Sequence, residues 1–347
     1  MGNIFESSYK SVSQTKIFHF HYLLILFLVM SLKRINLKFL PLLLLLLSVE
    51  AFAQNDGENI SLHTETGKIE GTLLCPETSE KIPLALIIAG SGPTDRDGNN
   101  PMMKNNSLKM LAEGLAKHEI ASVRYDKRGI AKSADAAVDE RALRFEHYVD
   151  DVKDWIDTLK KDPRFSELII IGHSEGSTIG MIASQSEKVD KFVSIAGPGD
   201  KAAVILKTQL SKQAPDMMDQ ILPIFEKLEK GDLVEEVPPM LNMVFRPSVQ
   251  PYLISWFKYD PRQEIAKLTI PIMVIQGTTD IQVNLSDAER LTAANKKAIL
   301  KKYEGMNHIL KEAEMDQFKN IKTYNDPDLP LKDGLVLNLA EFIHLKS

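Results

Sequence analysis

The stretch LIIIGHSEGSTIG, Leu168 to Gly180, decides the fold of this chain. Branched apolar residues precede the break, as in a strand that is buried on both faces of a sheet, and helix-compatible residues follow it. At the break, Gly172 and Gly176 bracket Ser174 in a Gly-x-Ser-x-Gly arrangement. Small residues are needed where a chain turns this tightly from strand to helix, and such a turn holds the serine hydroxyl exposed at the amino end of the helix. The stretch therefore predicts a strand, a tight turn and a helix, with a reactive serine at the tip.

Apolar runs and helical patterns alternate along the rest of the chain. The run Ile82–Gly90 is continuous and bounded by turn residues, which is typical of a strand covered on both faces. Apolar residues between Phe145 and Leu159 recur at three- and four-residue steps, which indicates an amphipathic helix. Other predicted elements are a hairpin over Ile60–Pro76, strands at Ile120–Asp126, Lys191–Gly197, Ile270–Gly277 and Ala298–Gly305, and a closing helix around Leu335–Leu345. This order predicts an α/β fold with a mostly parallel central sheet flanked by helices.

The alternation stops between Gly199 and Pro261, where a helical, methionine-containing insertion of about 200–262 takes its place. Open α/β sheets bind ligands at the carboxyl edge of their strands. We expect the insertion to cover that edge as a helical cap.

Composition argues against several partners and sites. The net charge is only -5 over 347 residues and no basic stripe is present, so neither a nucleic acid nor an anionic membrane surface is expected as a partner. Cys75 is the only cysteine, which excludes an internal disulfide and any multi-cysteine metal site.

The amino terminus has the pattern of a targeting segment. A basic stretch precedes an apolar run over 39–49, and small residues follow up to Ala53, which predicts a secretory signal peptide over 30–53 that is cleaved near Ala53. We interpret residues 1–29 as a mis-assigned upstream extension and 54–347 as an exported domain, periplasmic or extracellular, without stable membrane insertion after cleavage. The alternative is an uncleaved segment that anchors the domain to a membrane, although the apolar run is short for a span.

A serine hydroxyl needs a base before it can act as a nucleophile at neutral pH. Only His308 and His344 follow Ser174 in the chain. His308 comes just after a predicted strand, where a loop can carry an imidazole over the edge of the sheet. His344 lies in the closing helix and is interpreted as a surface residue, so His308 is the predicted base.

The base in turn needs an acid that orients it. Asp280 directly follows a predicted strand, whereas Asp260 lies at the end of the insertion and Asp287 opens a predicted helix. Asp280 is therefore the predicted acid. The alternative for Asp280 is a turn residue that bonds its own backbone.

Backbone amides are the usual donors to the oxyanion that forms when a serine attacks a carbonyl. One donor is the residue after the nucleophile, here Glu175, and the other comes from the loop after an early strand. That loop reads AGSGP, in which Gly90 and Gly92 permit a bend that turns amides inward. The predicted donors are thus the N–H groups of Ser91 and Glu175.

Charged residues near this loop have two interpretations. Asp95, Arg96 and Asp97 either contact substrate at the rim of the pocket or form an ion-paired brace, and the brace is favoured. The segment DKRGIAKS, Asp126 to Ser133, is interpreted as shaping the turn after a strand.

These residues together resemble the α/β-hydrolase superfamily over about 58–347. The resemblance is carried by the turn around Ser174, the glycine-rich loop, the turn over 126–133, Asp280 and His308. The sequence is similar to those of bacterial capped carboxylesterases and of dienelactone-hydrolase-like or prolyl-peptidase-like relatives. It departs at AGSGP, where many members carry histidine and glycine before the oxyanion donor.

The resemblance implies a serine hydrolase that acts on short-chain carboxylic esters. Ser174 would attack the ester carbonyl, His308 would take its proton, and Asp280 would steady the imidazolium before water releases the acid. A small-molecule ester is the implied partner, and no metal or organic cofactor is implied. The alternatives are an exported serine peptidase or aminoacyl amidase, because the same triad cleaves amides, and a catalytically silent hydrolase fold used for binding.

The apolar residues of the insertion are candidates for an acyl pocket, although most are needed to pack against the core. They are Leu206, Ile221, Leu222, Ile224, Phe225, Leu241 and Phe245. Tyr252 and Trp256, near the return to the sheet, either wall the pocket or anchor the cap, and the anchor is favoured.

Overall fold

The computed structural model describes residues 57–186 and 188–345. The extension predicted at 1–29 and the signal peptide predicted at 30–53 lie outside the described residues. No helix within the described ranges is long and apolar enough to cross a membrane.

One sheet organises the described chain. Its strands are β1 (Glu58–Thr64), β2 (Gly67–Leu74), β3 (Ile82–Ile88), β4 (Ala121–Tyr125), β5 (Phe165–His173), β6 (Lys191–Ile195), β7 (Ile272–Gly277) and β8 (Ala298–Tyr303). They lie in the order β1-β2-β4-β3-β5-β6-β7-β8. Pairing is antiparallel from β1 to β2 and from β2 to β4, and parallel everywhere else in this sheet. The predicted mostly parallel α/β sheet is confirmed.

The helices are α1 (Ser107–Ala116), α2 (Phe145–Leu159), α3 (Glu175–Ala183), α4 (Ala202–Gln213), α5 (Met218–Lys230), α6 (Asn242–Phe245), α7 (Gln250–Phe257), α8 (Pro261–Ala266), α9 (Leu285–Ala294), α10 (Gln317–Lys322) and α11 (Leu335–His344). Short 3-10 turns cover Ala131–Ala136, Pro215–Met217, Pro239–Leu241 and Thr323–Asn325.

Both faces of the sheet are covered, which explains why its central strands read as continuous apolar runs. Along β3, Leu84, Leu86 and Ile88 belong to one apolar cluster, whereas Ala85 and Ile87 belong to another. Helices α2, α3 and α9 contribute to the first cluster, and α1 and α11 contribute to the second. Helices therefore pack on both faces, as the alternating pattern predicts.

The strand predicted at Lys191–Gly197 is shorter in the structure, because β6 ends at Ile195. The next residue, Ala196, has a φ of 50°, which an extended strand does not allow. A Cβ on Gly197 would lie 2.4 Å from Ser177 Oγ, so the chain passes directly against α3 as it leaves the sheet.

Helices α4 to α8 fill the segment between β6 and β7. An aromatic group joins α5, α6 and α7, since the Phe225 ring centroid lies 5.1 Å from that of Phe245 and 5.8 Å from that of Phe257. The ring of Trp256 stacks on Phe145 of α2 at 5.9 Å, which joins this segment to the sheet's own helices.

Strands β3, β5, β7 and β8 run parallel, so the loops that follow them leave the sheet at the same edge. These loops carry Ser91, Ser174, Asp280 and His308. Parallel pairing thus gathers side chains that are far apart in the sequence.

Candidate active site

Ser174 occupies the tight turn between β5 and α3. Its φ of 54° and ψ of -123° are a strained combination for a residue with a side chain. A Cβ on Gly172 would lie 2.3 Å from the carbonyl oxygen of Gly176, and one on Gly176 would lie 2.4 Å from that of Ile88. Both glycines are therefore required by close backbone contacts. The turn leaves the Ser174 side chain only partly buried at the start of a helix.

His308 and Asp280 form a buried pair. The Nδ1 atom of His308 lies 2.8 Å from Asp280 Oδ2. The other carboxylate oxygen, Oδ1, accepts the backbone N–H groups of Gln282 at 2.8 Å and Val283 at 3.0 Å. The turn role that was the alternative for Asp280 is thus filled by one oxygen, while the second oxygen bonds the imidazole.

The charge state of Asp280 follows from these partners. Burial raises the pKa of Asp280, but His308 and the N–H groups of Val283 and Gln282 together bring it below its usual value. A carboxylate facing Nδ1 places the ring proton on that atom, which leaves Nε2 of His308 free to accept a proton.

His173 connects the Ser174 turn to the loop that carries His308. Its Nε2 atom lies 2.8 Å from the backbone carbonyl oxygen of His308, and the two ring centroids are 4.9 Å apart. Among the described residues, no hydrogen bond joins Ser174 Oγ to the His308 ring. The structure thus joins the acid to the base directly, and the base to the serine turn through His173. Catalytic hydrogen bonds of this kind commonly tighten only when substrate binds.

The predicted oxyanion donors share a pocket with the serine. Ser91, Ser174 and Glu175 line one pocket with about 420 Å³ of space outside protein atoms, including solvent at its mouth. A Cβ on Gly90 would lie 3.1 Å from Ser174 Cβ, so the loop after β3 runs directly beside the serine. The other lining residues are Pro198, Ala202, Ile205, Leu206, Gln209, Trp256, Gln282 and Val283.

Only one of the apolar residues proposed for an acyl pocket, Leu206, lines this pocket. The side chains of Ile221, Ile224, Phe225, Leu241 and Phe245 are instead buried in the core. Leu222 is 41% exposed to solvent. Trp256 lines the pocket and also stacks on Phe145, so it both walls the pocket and anchors the insertion.

Known proteins share this arrangement of sheet and helices. Residues 104–232 match the family model described as serine aminopeptidase, S33. The chain is 28% identical over 255 residues to esterase EstD of Thermotoga maritima, a match that covers 71% of this chain and 59% of that esterase. The structure is similar to that of Est1E from Butyrivibrio proteoclasticus, solved with ferulic acid, at 15% identity and a TM-score of 0.53, covering 82% of this chain and 96% of that one. It is also similar to the α/β hydrolase GrgF from a Penicillium species, at 16% identity and a TM-score of 0.53, covering 82% and 97%.

The chain has the α/β-hydrolase fold. Its mostly parallel sheet with flanking helices agrees with the fold that the resemblance in the sequence implies. The match to EstD spans less than two thirds of the length of that esterase.

Of the three charged residues in the loop after β3, Arg96 and Asp97 form the brace that the sequence favours. Asp95 instead accepts the backbone N–H groups of Asp97 and Asn99 through its Oδ1 atom. Arg96 is buried and donates to Asp126 Oδ2 at 2.7 Å and to Thr72 Oγ1 at 3.0 Å. Asp97 pairs with the buried Arg124. These ion pairs tie the loop after β3 to the strands β2 and β4.

Sequence reasoning missed Gln276, which bonds the acid. Its Nε2 atom donates to Asp280 Oδ2 at 2.9 Å, the same oxygen that faces His308. It also donates to the Val283 carbonyl oxygen at 3.1 Å. The available signal is a single polar side chain inside the apolar run of β7.

It also missed a buried ion pair under the pocket. Lys127 Nζ lies 2.7 Å from Glu175 Oε2, and both side chains are at most 2% exposed. The other carboxylate oxygen of Glu175 accepts the hydroxyl of Tyr252. The carboxylate of Glu175 therefore points into the protein, although its backbone borders the pocket.

The stability of the protein should depend on pH through His173. Burial and the neighbouring His308 ring lower the pKa of His173 to about 4, against the weaker opposing effects of the hydrogen bond to the His308 carbonyl oxygen and of Asp280. In the unfolded chain a histidine has a pKa of about 6.5. At pH values between about 4 and about 6.5, the unfolded state binds the proton and the folded state does not, so the free energy of unfolding falls as the pH falls. We expect His173→Gln to reduce the loss of unfolding free energy between about pH 7 and pH 5 by roughly 2 kcal/mol. Urea unfolding at both pH values measures this, and equal losses in variant and wild type would contradict it.

Proposed function

We propose that this protein is a serine carboxylesterase that hydrolyses small, uncharged esters through an acyl-enzyme on Ser174. The observation that carries the proposal is the buried Asp280–His308 pair, which lies at the sheet edge beside the Ser174 turn. The 28% identity to an esterase supports the same class of reaction.

In the first step, Ser174 Oγ attacks the ester carbonyl while Nε2 of His308 takes the hydroxyl proton. The C–O bond to the alcohol then breaks, and the imidazolium returns the proton to the leaving alcohol. Asp280 stabilises the imidazolium because its carboxylate oxygen stands 2.8 Å from Nδ1. In the second step, His308 activates a water molecule, which attacks the acyl-enzyme and releases the carboxylic acid.

Negative charge develops on the carbonyl oxygen in both steps. Ser91 and Glu175 line the same pocket as Ser174, and their backbone N–H groups are the proposed donors to that oxygen. Glu175 is the first residue of α3, where helical N–H groups have no partner within the helix.

The second candidate is an aminopeptidase, which the description of the matching family model favours. Such an enzyme has to bind the free α-ammonium group of its substrate, and a carboxylate is the natural partner. Among residues 57–186 and 188–345, Glu175 is the only acidic residue that lines this pocket. Its carboxylate is already paired with Lys127 and Tyr252 and is almost fully buried. The pocket wall is otherwise apolar or neutral, which supports an uncharged ester over a peptide amine.

The two candidates are separated by matched substrates. We expect p-nitrophenyl acetate and butyrate to be hydrolysed and alanine p-nitroanilide to be hydrolysed far more slowly. N-acetylalanine p-nitroanilide, which lacks the ammonium group, is the control for amide reactivity alone. Comparable kcat/KM values for the esters and for the free aminoacyl anilide would overturn the proposal in favour of the aminopeptidase.

A further inference from the structure

We propose that Lys127 is a positioning residue for the oxyanion site, because it fixes the direction of the peptide that supplies the Ser91 N–H. This inference rests on the proposed function. It concerns the Lys127 network, defined as Lys127, Glu175, Tyr252 and the carbonyl group of Gly90.

The ammonium group of Lys127 is held from several sides. Lys127 follows β4, and its side chain is 1% exposed. Its Nζ atom donates to the Gly90 carbonyl oxygen at 2.7 Å and to Glu175 Oε2 at 2.7 Å. It also lies 4.9 Å from the centroid of the Tyr148 ring, in a cation–π contact. An ammonium this deeply buried has lost its water, so these contacts fix its position.

The bond to Gly90 has a consequence for the next residue. The carbonyl of Gly90 and the N–H of Ser91 belong to one peptide unit, which is planar and trans, so the two groups point in opposite directions. Because Lys127 holds the carbonyl toward the protein interior, the Ser91 N–H must point to the opposite side. Ser91 lines the pocket, and Gly90 lies against Ser174, so that side is where the substrate carbonyl would lie. The Ser91 N–H donates no hydrogen bond within the described ranges and is available to a ligand.

The same lysine also reaches the second donor. Glu175 supplies the other proposed oxyanion N–H, and its side chain bonds Lys127 directly. One ammonium group therefore contacts the peptide of the first donor and the side chain of the second. Its positive charge is balanced by the carboxylate of Glu175, so the pair can stay buried.

Tyr252 ties this arrangement to the helical insertion. Its hydroxyl bonds Glu175, and its ring packs against Phe145 and Tyr148 of α2. Burial and the charge of Glu175 raise the pKa of Tyr252 well above its usual value. The hydroxyl therefore stays protonated and donates a hydrogen bond to the carboxylate. Helix α7 of the insertion thereby takes part in holding the oxyanion site, beyond walling the pocket.

The test is the double variant Lys127→Met/Glu175→Gln. Removing Lys127 alone would leave a buried carboxylate without its cation, which is strongly destabilising. The double variant keeps a neutral pair of similar size and leaves Ser174, His308 and Asp280 unchanged. We expect kcat for p-nitrophenyl acetate to fall roughly 100-fold, with little change in KM. The affinity for a trifluoromethyl ketone, whose adduct carries the oxyanion, should fall by a similar factor.

The chain offers a matched control at the far end of the sheet. Lys191 starts β6, is also 1% exposed, and its Nζ atom donates to Glu167 Oε2 at 2.6 Å and to the Ile343 carbonyl oxygen at 2.8 Å. Lys191→Met/Glu167→Gln removes the same kind of bond to a backbone carbonyl, away from the pocket. We expect kcat and inhibitor affinity to stay at wild-type values in this control, even if it is less stable.

A crystal structure of the Lys127→Met/Glu175→Gln variant separates this inference from the proposed function. We expect the Gly90–Ser91 peptide to rotate once its carbonyl has lost the lysine. An unchanged peptide direction overturns the inference, whatever the activity of the protein. If the double variant hydrolyses esters with the kcat of the wild type, the inference about Lys127 is also overturned. The proposed function would not be affected by that result.

Discussion

Ser174→Ala is expected to lower kcat for p-nitrophenyl acetate by on the order of 10⁴-fold or more, with the fold intact. The variant cannot form the acyl-enzyme, because alanine has no oxygen to attack the carbonyl. Only the hydrolysis that the pocket and the oxyanion donors promote by binding would remain. The turn should persist, since it depends on Gly172 and Gly176 rather than on the hydroxyl.

Ser177→Ala is the matched control for this loss. Ser177 lies one turn further along α3, and its buried hydroxyl bonds Ser194 Oγ at 2.7 Å. We expect this variant to keep kcat close to that of wild type while losing some stability. Steady-state kinetics of both purified variants is the measurement, and a Ser174→Ala enzyme with near wild-type kcat would contradict the proposed mechanism.

Asp280→Asn is expected to lower kcat by on the order of 10⁴-fold, although the change is nearly isosteric. The backbone N–H groups of Gln282 and Val283 donate to Oδ1 of Asp280. In the variant, the side-chain oxygen of the asparagine would occupy the position of Oδ1, because only the oxygen can accept these hydrogen bonds. Its NH₂ group would then face Nδ1 of His308, which has to become an acceptor. The ring proton would move to Nε2, the atom that has to receive the proton of Ser174.

Gln276 strengthens this expectation. Its NH₂ group donates to the same Asp280 oxygen that faces His308, so an asparagine there would place two NH₂ groups against each other. The two acids that sequence reasoning set aside supply the controls. Asp260→Asn and Asp287→Asn should leave kcat near the wild-type value, because Asp260 caps α8 and Asp287 pairs with Arg290. If Asp260→Asn or Asp287→Asn lost tenfold or more in kcat while Asp280→Asn stayed active, Asp280 would not be the acid that orients His308.

Local patterns predicted the sheet and the serine turn because their causes are local. An apolar run followed by Gly172 and Ser174 indicates a strand and a tight turn from residues that are adjacent in the sequence. Asp280 and His308 could be placed near the serine because residues that follow parallel strands reach the same edge. The positions of both residues follow from where the strands end, and the apolar runs in the sequence mark those ends.

The Lys127 network could not be predicted in the same way. The segment around Lys127 reads as a turn, and its partners Gly90, Glu175 and Tyr252 are distant in sequence. A buried ion pair leaves no periodic signal, since its energy depends on which side chains meet after folding. The acyl-pocket prediction failed for a related reason. An apolar pattern shows that Phe225 or Phe245 is buried, but not that these rings pack on each other rather than facing the substrate.

Peptide mass spectrometry of the protein after reaction with a fluorophosphonate tests directly whether Ser174 is the nucleophile. We expect one modified residue, Ser174, and loss of the modification when the protein carries His308→Ala. Ser91 borders the same pocket and serves as an internal comparison. Modification of Ser91 in place of Ser174, or an unmodified protein that still hydrolyses esters, would contradict the assignment of Ser174 as the nucleophile.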